Sequence, residues 1–207
     1  NSKFSNKEIQ LKKDFLNKFI ESGFPNRKQE DWKFLDISQI IKKNISDLSY
    51  FIDYSQSNKI DPSTFVDGLE HNRIIFLNGR IEKIDFNHED KSKIEISDET
   101  KKDISFNYEN SLIDLNCAFT DKVFKILVKK DYSLKKPLII YHSTNDSIKS
   151  TNINLRLDFE LGENSCLKLI DYFTNNTAKN FINIYYNFDL KKDSILKNYK
   201  IDKFRNE

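Results

Sequence analysis

The chain has 207 residues, 38% of them hydrophobic and 13% aromatic, so it is long enough and apolar enough to bury a core. Its 34 Lys and Arg nearly cancel its 32 Asp and Glu, and the formal net charge of +2 gives no reason to expect a nucleic-acid or membrane partner. The four isolated glycines form no phosphate-binding loop, which argues against a nucleotide-binding enzyme.

Cysteine usage and hydropathy indicate a cytoplasmic protein. Cys117 and Cys166 are the only cysteines and have no CxxC spacing, so we expect no disulfide framework and a reducing compartment. The opening NSKFSNKEIQ lacks a signal-peptide core, and no stretch approaches the roughly 20 apolar residues of a membrane span. Because the sequence contains no Met, we expect it to lack its natural start.

Two helices are predicted at the N-terminal end. Ser5 and Glu8 have the spacing of a capping box, and Gly23 with Pro25 predicts the end of the first helix. Its apolar stripe consists of Leu11, Phe15, Leu16, Phe19 and Ile20. A short second helix is predicted from the apolar face Ile37, Ile40, Ile41, Ile45 and Leu48.

The only tryptophan lies in a charged run, RKQEDWKF, at residues 27–34. We expect Trp32 to turn inward as an apolar anchor while its neighbours face water, and we expect Arg27 to pair with Glu30. The run is therefore interpreted as structural, without a catalytic role.

From Arg73 the apolar period changes to that of strands. Asn78-Gly79 between two apolar runs in RIIFLNGRIEKIDF predicts a β-hairpin, after a loop at residues 61–70. A helix is predicted at residues 109–119 from Leu112, Leu115 and Phe119. The rest of the chain is predicted to form strands almost to its end.

Those strands repeat. The segment NLRLDFELGENSCLKLID from Asn154 matches NIYYNFDLKKDSILKNYK from Asn183, 29 residues later. A weaker copy, VKKDYSLK from Val128, precedes the first by 33 residues. Repeats of about 30 residues with period-two alternation favour a solenoid of strands, because a propeller blade needs four strands in about 40 residues.

The expected fold is mainly β with an N-terminal helical region at residues 1–70 and a parallel β-helix at residues 71–207, incomplete at its C-terminal end. This fold predicts that Asn154 stacks on Asn183 and Leu167 on Leu196. A plain antiparallel meander is the alternative.

No motif predicts chemistry. His71, His88 and His142 lie far apart without metal-ligand spacing, and Cys117 and Cys166 are interpreted as packed side chains. The carboxylates in the turns GEN and KKD are interpreted as solvated. We therefore predict no catalytic, cofactor-binding or metal-binding residue, and no enzyme activity.

Four segments, in this order, resemble one family, the SufD proteins of iron–sulfur cluster assembly. They are PNRKQEDWKF (25–34), LNCAF (115–119), LKKPLIIYH (134–142) and NLRLDFELGENSCLKLIDYF (154–173). The sister family SufB shares the core but lacks the Arg-Glu-Trp opening, so SufD is preferred. The resemblance extends from about residue 24 to the C-terminal end.

The resemblance implies a right-handed parallel β-helix behind helices and a non-enzymatic scaffold role. It implies SufB-like and SufC-like proteins as partners, the latter an ATPase, and a homodimer when the subunit is alone. The whole complex handles the cluster, and this segment binds no cofactor. Family members are longer, which places the last coils, the SufC-docking helices and the cluster-site histidine beyond residue 207.

Two other functions fit the repeat alone. One is a β-helix enzyme acting on carbohydrates, for which no carboxylate pair stands out in the sequence. The other is a generic interaction domain with no role in cluster assembly.

Overall fold

The computed structural model describes residues 5–45, 47–52, 65–99, 110–145, 147–174 and 179–202. These residues form a mixed α/β structure in which two mixed sheets follow N-terminal helices, consistent with the predicted β-rich class. The helices are α1 (Asn6–Ser22), α2 (Ile37–Asn44) and α3 (Ser111–Phe119). The strands are β1 (Asn72–Leu77), β2 (Arg80–Asp85), β3 (Ile94–Glu99), β4 (Val123–Val128), β5 (Leu138–Ser143), β6 (Asn152–Leu161), β7 (Cys166–Phe173), β8 (Phe181–Leu190) and β9 (Ile195–Asp202). Every helix in the described ranges is too short or too polar to cross a bilayer.

The first sheet has the strand order β2-β1-β5-β7-β9. Strands β1 and β2 form the predicted antiparallel hairpin, with Asn78 (φ 52°) and Gly79 (φ 80°) in its two-residue turn. Both residues need a positive φ in such a turn, which Asn and Gly adopt at low cost. The other three pairings in this sheet are parallel.

The second sheet has the strand order β3-β4-β6-β8. Strand β3 pairs antiparallel with β4, and β4, β6 and β8 are parallel to one another. Strands β6 and β8 belong to this sheet, whereas β7 and β9 belong to the first. Each repeat unit therefore places one strand in each sheet.

The predicted stacking of the repeat units is confirmed. Asn154 pairs with Asn183, and Leu167 pairs with Leu196. In the weaker copy Val128 pairs with Leu161, as the alignment of the sequences requires. Because these pairings are parallel, the antiparallel meander is wrong.

The turns inside the three units also match. Asp131, Asn164 and Asp193 occupy equivalent positions and all have φ of 56°. Asp and Asn are the residues other than Gly that adopt this left-handed conformation most readily. Asn164 Nδ2 also donates to Asp131 Oδ1 at 2.8 Å, so the turns are bonded directly to one another.

The main core lies between the two sheets and consists of inward-facing residues from both. Its fully buried members include Ile74, Phe76, Ile126, Val128, Leu138, Ile140, Leu157, Phe159, Leu161, Leu167 and Leu169. Paired strands bring like residues together, so the ring of Phe159 lies 5.3 Å from that of Phe188. This is the side-chain ladder expected when period-two alternation is combined with parallel, in-register pairing.

Helix α3 covers the outer face of the second sheet. Asn116 Nδ2 donates to the carbonyl oxygens of Leu155 (3.0 Å) and Asn183 (2.9 Å), so one side chain bonds both β6 and β8. Lys12 Nζ of α1 donates to the carbonyl oxygen of Thr120 at 2.5 Å, just beyond the end of α3. These bonds hold α3 against the sheet and α1 against α3.

Helix α1 begins and ends at the predicted residues, but fewer of its side chains are buried than predicted. Ser5 Oγ accepts from the Glu8 amide at 3.3 Å, and Gly23 donates its amide to Phe19 at 2.7 Å, which confirms both ends. Ile20 is 67% exposed, and on α2 Ile40 is exposed as well. Both helices lie on a surface, where only one or two residues per turn reach the core.

The prediction for Trp32 is confirmed in direction but not in extent: Trp32 is the one residue of the run 27–34 that is not exposed, yet it is not fully buried. The side chain is only partly buried and lies in a short 3₁₀ turn, Glu30–Trp32, with no buried residue. The predicted Arg27–Glu30 pair is wrong, since the Glu30 carboxylate binds Lys33 Nζ at 2.6 Å. Glu30 and Lys33 lie at the two ends of the 3₁₀ turn, whereas Arg27 precedes it.

Three details of the secondary structure either differ from the predictions or are described only in part. Strand β3 was not predicted, because its short Ile94-to-Ile96 alternation is surrounded by charged residues. Helix α3 begins at Ser111 with Asn110 as its N-cap, and Glu109 lies outside the described residues. The predicted loop at 61–70 is described only from Phe65 onward, where it contains no helix or strand.

A buried carboxylate connects the hairpin region to the start of β5. Glu89 accepts hydrogen bonds from Asn72 Nδ2 (2.8 Å), Tyr132 Oη (2.7 Å), and the backbone amides of Lys135 (3.1 Å) and Lys136 (3.0 Å). Burial by itself raises the pKa of Glu89, but the four hydrogen bonds outweigh it and hold the pKa below its ordinary value. The ionised form therefore stabilises the fold.

Replacing Phe159 by Ala is expected to lower the free energy of unfolding by about 3–5 kcal/mol, because the side chain is 1% exposed and stacks on its neighbours in the ladder. Phe34→Ala is the control, since Phe34 is 87% exposed and its loss should cost less than about 0.5 kcal/mol. Urea unfolding followed by circular dichroism measures both. Equal losses for the two variants would contradict the assigned core.

Replacing Glu89 by Gln is expected to cost about 2–3 kcal/mol at neutral pH, because the amide cannot accept from all four donors. The exposed Glu82 provides the control variant Glu82→Gln.

The pH dependence tests the sign of the pKa shift. A lowered pKa contributes its full stabilisation above the ordinary glutamate pKa of about 4.3 and loses it as the pH falls through the folded-state pKa. The difference between wild type and Glu89→Gln should therefore shrink in urea unfolding below about pH 4. A difference that stays constant down to about pH 3 would show that ionisation of Glu89 is irrelevant.

Candidate functional site

The two sheets end together in an open edge, formed by β8 and β9, the outermost described strands at that end. Side chains of β6 are mostly buried, whereas those of β8 are partly exposed and those of β9 mostly exposed. The exposed apolar residues here are Leu190, Ile195, Tyr199 and Ile201. Free strand edges with apolar side chains are surfaces on which other strands pair.

The outer face of the first sheet continues this apolar surface. Register places Tyr199 beside Ile170 and Ile201 beside Tyr172. Tyr172 itself is buried, in a small cluster that Phe65 packs against. The same apolar face is thus covered near β5 and exposed at β9, which makes the open edge a candidate interaction surface.

Just inside the open edge lies a polar cluster of His142, Asp171 and Tyr186. His142 Nε2 is 3.1 Å from Asp171 Oδ1 and 3.1 Å from Tyr186 Oη. The Tyr186 hydroxyl also donates to Asp171 Oδ1. His142 and Asp171 are buried, and Tyr186 is partly buried.

Strand register explains how the three side chains meet. Asp171 pairs with Ile140, a core residue two positions before His142, so His142 and Asp171 face the interior from neighbouring strands of the first sheet. Tyr186 pairs with the core residue Leu157 and faces the interior from the second sheet. The cluster therefore spans the space between the sheets.

The imidazole of His142 is held between two phenyl rings. It stacks on Phe173 at 4.7 Å with an interplanar angle of 22°, and on Phe76 at 5.9 Å with an angle of 9°. These rings belong to neighbouring strands in register with His142. The ring orientation, and with it the direction of Nε2, is fixed by packing.

Burial sets the protonation of the cluster. Desolvation lowers the pKa of His142, and the nearby Asp171 only partly offsets this. Burial, reinforced by the Asp171 carboxylate, raises the pKa of Tyr186 well above its ordinary value. At neutral pH the imidazole and the phenol are therefore both uncharged, and both bond the same carboxylate oxygen.

The other histidines lie elsewhere. His71 Nδ1 donates to the Leu69 carbonyl at 2.6 Å, and its Nε2 accepts from Tyr141 Oη at 2.9 Å, on the outer face of the first sheet. His88 is near Glu70, whose pKa it helps to lower. Within the described ranges, His, Cys, Asp and Glu side chains form no group of three or more that is placed to hold a metal ion.

The two cysteines differ in how deeply their side chains are buried. Cys117 is buried as predicted, and desolvation raises its pKa to about 12, so its thiol stays protonated. Cys166 is only partly buried, so the prediction of a buried side chain is wrong, although it pairs with Ile195 as the repeat requires. It faces outward beside Ile195, which is exposed.

The polar cluster is a feature that sequence reasoning missed. Its three residues belong to three different strands and have no spacing in the sequence that is typical of a site. One signal was present: His142, Asp171 and Tyr186 are polar residues at inward-facing positions of apolar strands. Such positions are identifiable only once the face of each strand is known.

No protein-family model matches the chain, and a search of curated proteins finds no match to it.

Replacing Ile201 by Lys is expected to weaken any self-association through the open edge, because a charge there opposes strand pairing. Ile84→Lys is a closely matched control on β2 at the opposite edge of the same sheet, since the two side chains are 43% and 44% exposed. Sedimentation velocity over a concentration series measures the change. Equal effects of the two substitutions would show that the open edge is not the associating surface.

Proposed function

We propose that the chain is part of a SufD-type scaffold subunit that assembles iron–sulfur clusters together with a SufB-like protein and a SufC-like ATPase. The subunit acts in the cytoplasm and performs no catalysis by itself. The observation that carries this proposal is the parallel, in-register stacking of the repeat units, in the segment that resembles the SufD core.

The proposal includes the finer description of the fold as a right-handed parallel β-helix from residue 71 onward, behind an N-terminal helical region at 1–70. Three observations support it. Each repeat unit contributes one strand to each sheet, successive units pair in parallel, and the turns between strands stack at equivalent residues. These are the features of a solenoid whose coils bury a continuous core.

The positions of the family-like segments support the same proposal. LNCAF forms the end of α3, where Asn116 bonds the backbone of two parallel strands. LKKPLIIYH leads into β5, where Pro137 immediately precedes the strand. The segment from Asn154 forms β6, its turn and β7. Three of the four segments therefore form or support the stacked core, as expected of a scaffold, whereas PNRKQEDWKF lies outside it in a 3₁₀ turn.

A generic interaction domain is the second candidate, favoured by the apolar open edge. Such a domain uses the same edge without any role in cluster assembly. The polar cluster gives no support to a carbohydrate-cleaving enzyme, since its carboxylate is enclosed between the sheets and not in an external cleft.

The test uses the natural full-length protein, tagged and isolated from its own cells under anaerobic conditions. We expect SufB-like and SufC-like proteins to co-purify, and cluster assembly reconstituted from the isolated components to require the subunit. Recovery of neither partner would contradict the scaffold role. Recovery of other partners, with cluster assembly unchanged on omission of the subunit, would establish the generic interaction domain instead.

A further inference from the structure

We propose that a cleft at the end of the sheets opposite the open edge binds an extended peptide segment of a partner protein, whose backbone pairs with the start of β6. The cleft has a volume of about 1140 Å³ and is lined by residues of β2 and β3, the outermost described strands at that end, and by the end of α3 and the start of β6. This binding site goes beyond the proposed scaffold role and does not depend on it.

A buried side chain without a hydrogen-bond partner is the first argument for a ligand. Asn152, the first residue of β6, lines the cleft and is 3% exposed. Neither its Oδ1 nor its Nδ2 has a hydrogen-bond partner in the part of the chain that the structure describes. Burying both groups unbonded is unfavourable, so the position suits a ligand that supplies one donor and one acceptor. A peptide unit supplies both, through its N–H and its C=O.

The backbone of β6 is the second argument, because it lacks its neighbouring strand beside the cleft. Strand β4 pairs with β6 only from Arg156 onward and is not paired with residues 152–155. Asn152 donates its backbone N–H to the Ser49 carbonyl at 2.8 Å, on the side away from β8. Since alternate residues of a strand point their backbone groups the same way, Asn154 turns its N–H and C=O toward that side too, and it also lines the cleft. An added peptide strand can pair there.

The walls of the cleft suit the apolar side chains of such a peptide. Tyr50 and Phe51 lie at the rim and are 39% and 79% exposed. The ring of Tyr50 lies 5.0 Å from that of Phe119, which also lines the cleft. Ile81 and Ile96 line its inner part, where they pack against the main core without being fully buried. Apolar groups around a concave surface with a few polar positions are typical of a binding site.

The charged groups of the lining indicate which peptide is preferred. Among the described residues, the cations Lys12, Arg80 and Lys122 line the cleft, against the carboxylates of Asp98 and Asp121. Lys122 binds Asp98 in an ion pair. The cations exceed the carboxylates by one, which favours a peptide that carries an acidic residue among its apolar ones.

The test uses the full-length protein and an array of synthetic decapeptides. Alternate positions of each peptide carry valine, isoleucine or phenylalanine, and one position between them carries glutamate. The peptide that binds most tightly is labelled with fluorescein and titrated by fluorescence polarisation, and we expect saturable binding to a single site. Absence of saturable binding across the array would overturn the proposal without any variant.

Methylation of the peptide backbone tests strand pairing. Alternate N–H groups of an added strand face β6, and the others face away. N-methylation of one alternate set should therefore lower the affinity by at least about tenfold, whereas N-methylation of the other set should leave it nearly unchanged. Equal effects of the two sets would show that the peptide does not pair as a strand.

A variant of Asn152 tests the role of the unbonded amide. Asn152→Leu should weaken peptide binding by about tenfold, because the donor and the acceptor are lost together. It should leave the unfolding temperature unchanged or raise it, because an unbonded buried amide is removed. Asn187→Leu is the matched control on the same face of β8, outside the described lining of the cleft, and should leave the affinity unchanged. Unchanged affinity in Asn152→Leu would overturn the proposal.

Exposed phenylalanines give a second pair of variants that decides the matter if Asn152→Leu does not fold. Phe51→Ser should weaken peptide binding by about fivefold, whereas Phe34→Ser, at a residue that is 87% exposed and outside the described lining, should not. A photoreactive benzoylphenylalanine in place of Phe51 identifies the occupant. A cross-link to the peptide supports the proposal. A cross-link only to another part of the same chain, with peptide present, would show that the chain fills the cleft itself and would overturn it.

Discussion

Parallel, in-register pairing of successive repeat units is the constraint on which the rest of this structure depends. Because β6 pairs with β8, and β7 with β9, without a shift along their lengths, every inward-facing residue lies on an equivalent residue of the next unit. The stacked turns maintain this register. Each one reverses the chain at an Asp or Asn in the left-handed conformation, and Asn164 bonds directly to Asp131 of the preceding unit. A turn of different length would move the following strand out of alignment and expose its core face.

The same constraint distributes polar and apolar groups across the molecule. On the outer face of the second sheet, Asn116 bonds two parallel strands at once, which positions α3 and the helix packed on it. In the interior, stacking produces apolar ladders through most of the core. Where the ladder reaches His142 and Asp171, polar groups take the apolar positions and must bond one another, since burying them unpaired costs several kcal/mol. The polar cluster and the Glu89 network are two solutions to this requirement, one between the sheets and one beside the hairpin.

Much of the architecture was predictable because patterns among residues close together in the sequence determine it. The Ser5 capping box, the Asn78-Gly79 hairpin and the helix ending at Phe119 each depend on a few neighbouring residues, and all three are present. The repeat predicted the pairing of Asn154 with Asn183, because a one-residue slip would turn the apolar faces outward and the matching turns select the in-register pairing among the rest. Predictions about exposure were less successful. Ile20, Trp32 and Cys166 are all more exposed than expected, since burial depends on what covers a residue and not on its own side chain.

By itself, the sequence determined the position of the helices, the hairpin and the turns, and the register in which the repeat units stack. Local hydrogen bonding and the two-residue alternation of strands are properties of neighbouring residues, so they can be identified in a linear chain. Only the tertiary structure decided which side chains meet. His142, Asp171 and Tyr186 lie on three strands in two sheets, and their convergence depends on how those sheets face each other. The same holds for the charged run around Trp32, whose large aromatic side chain is partly buried while its neighbours in the run are exposed.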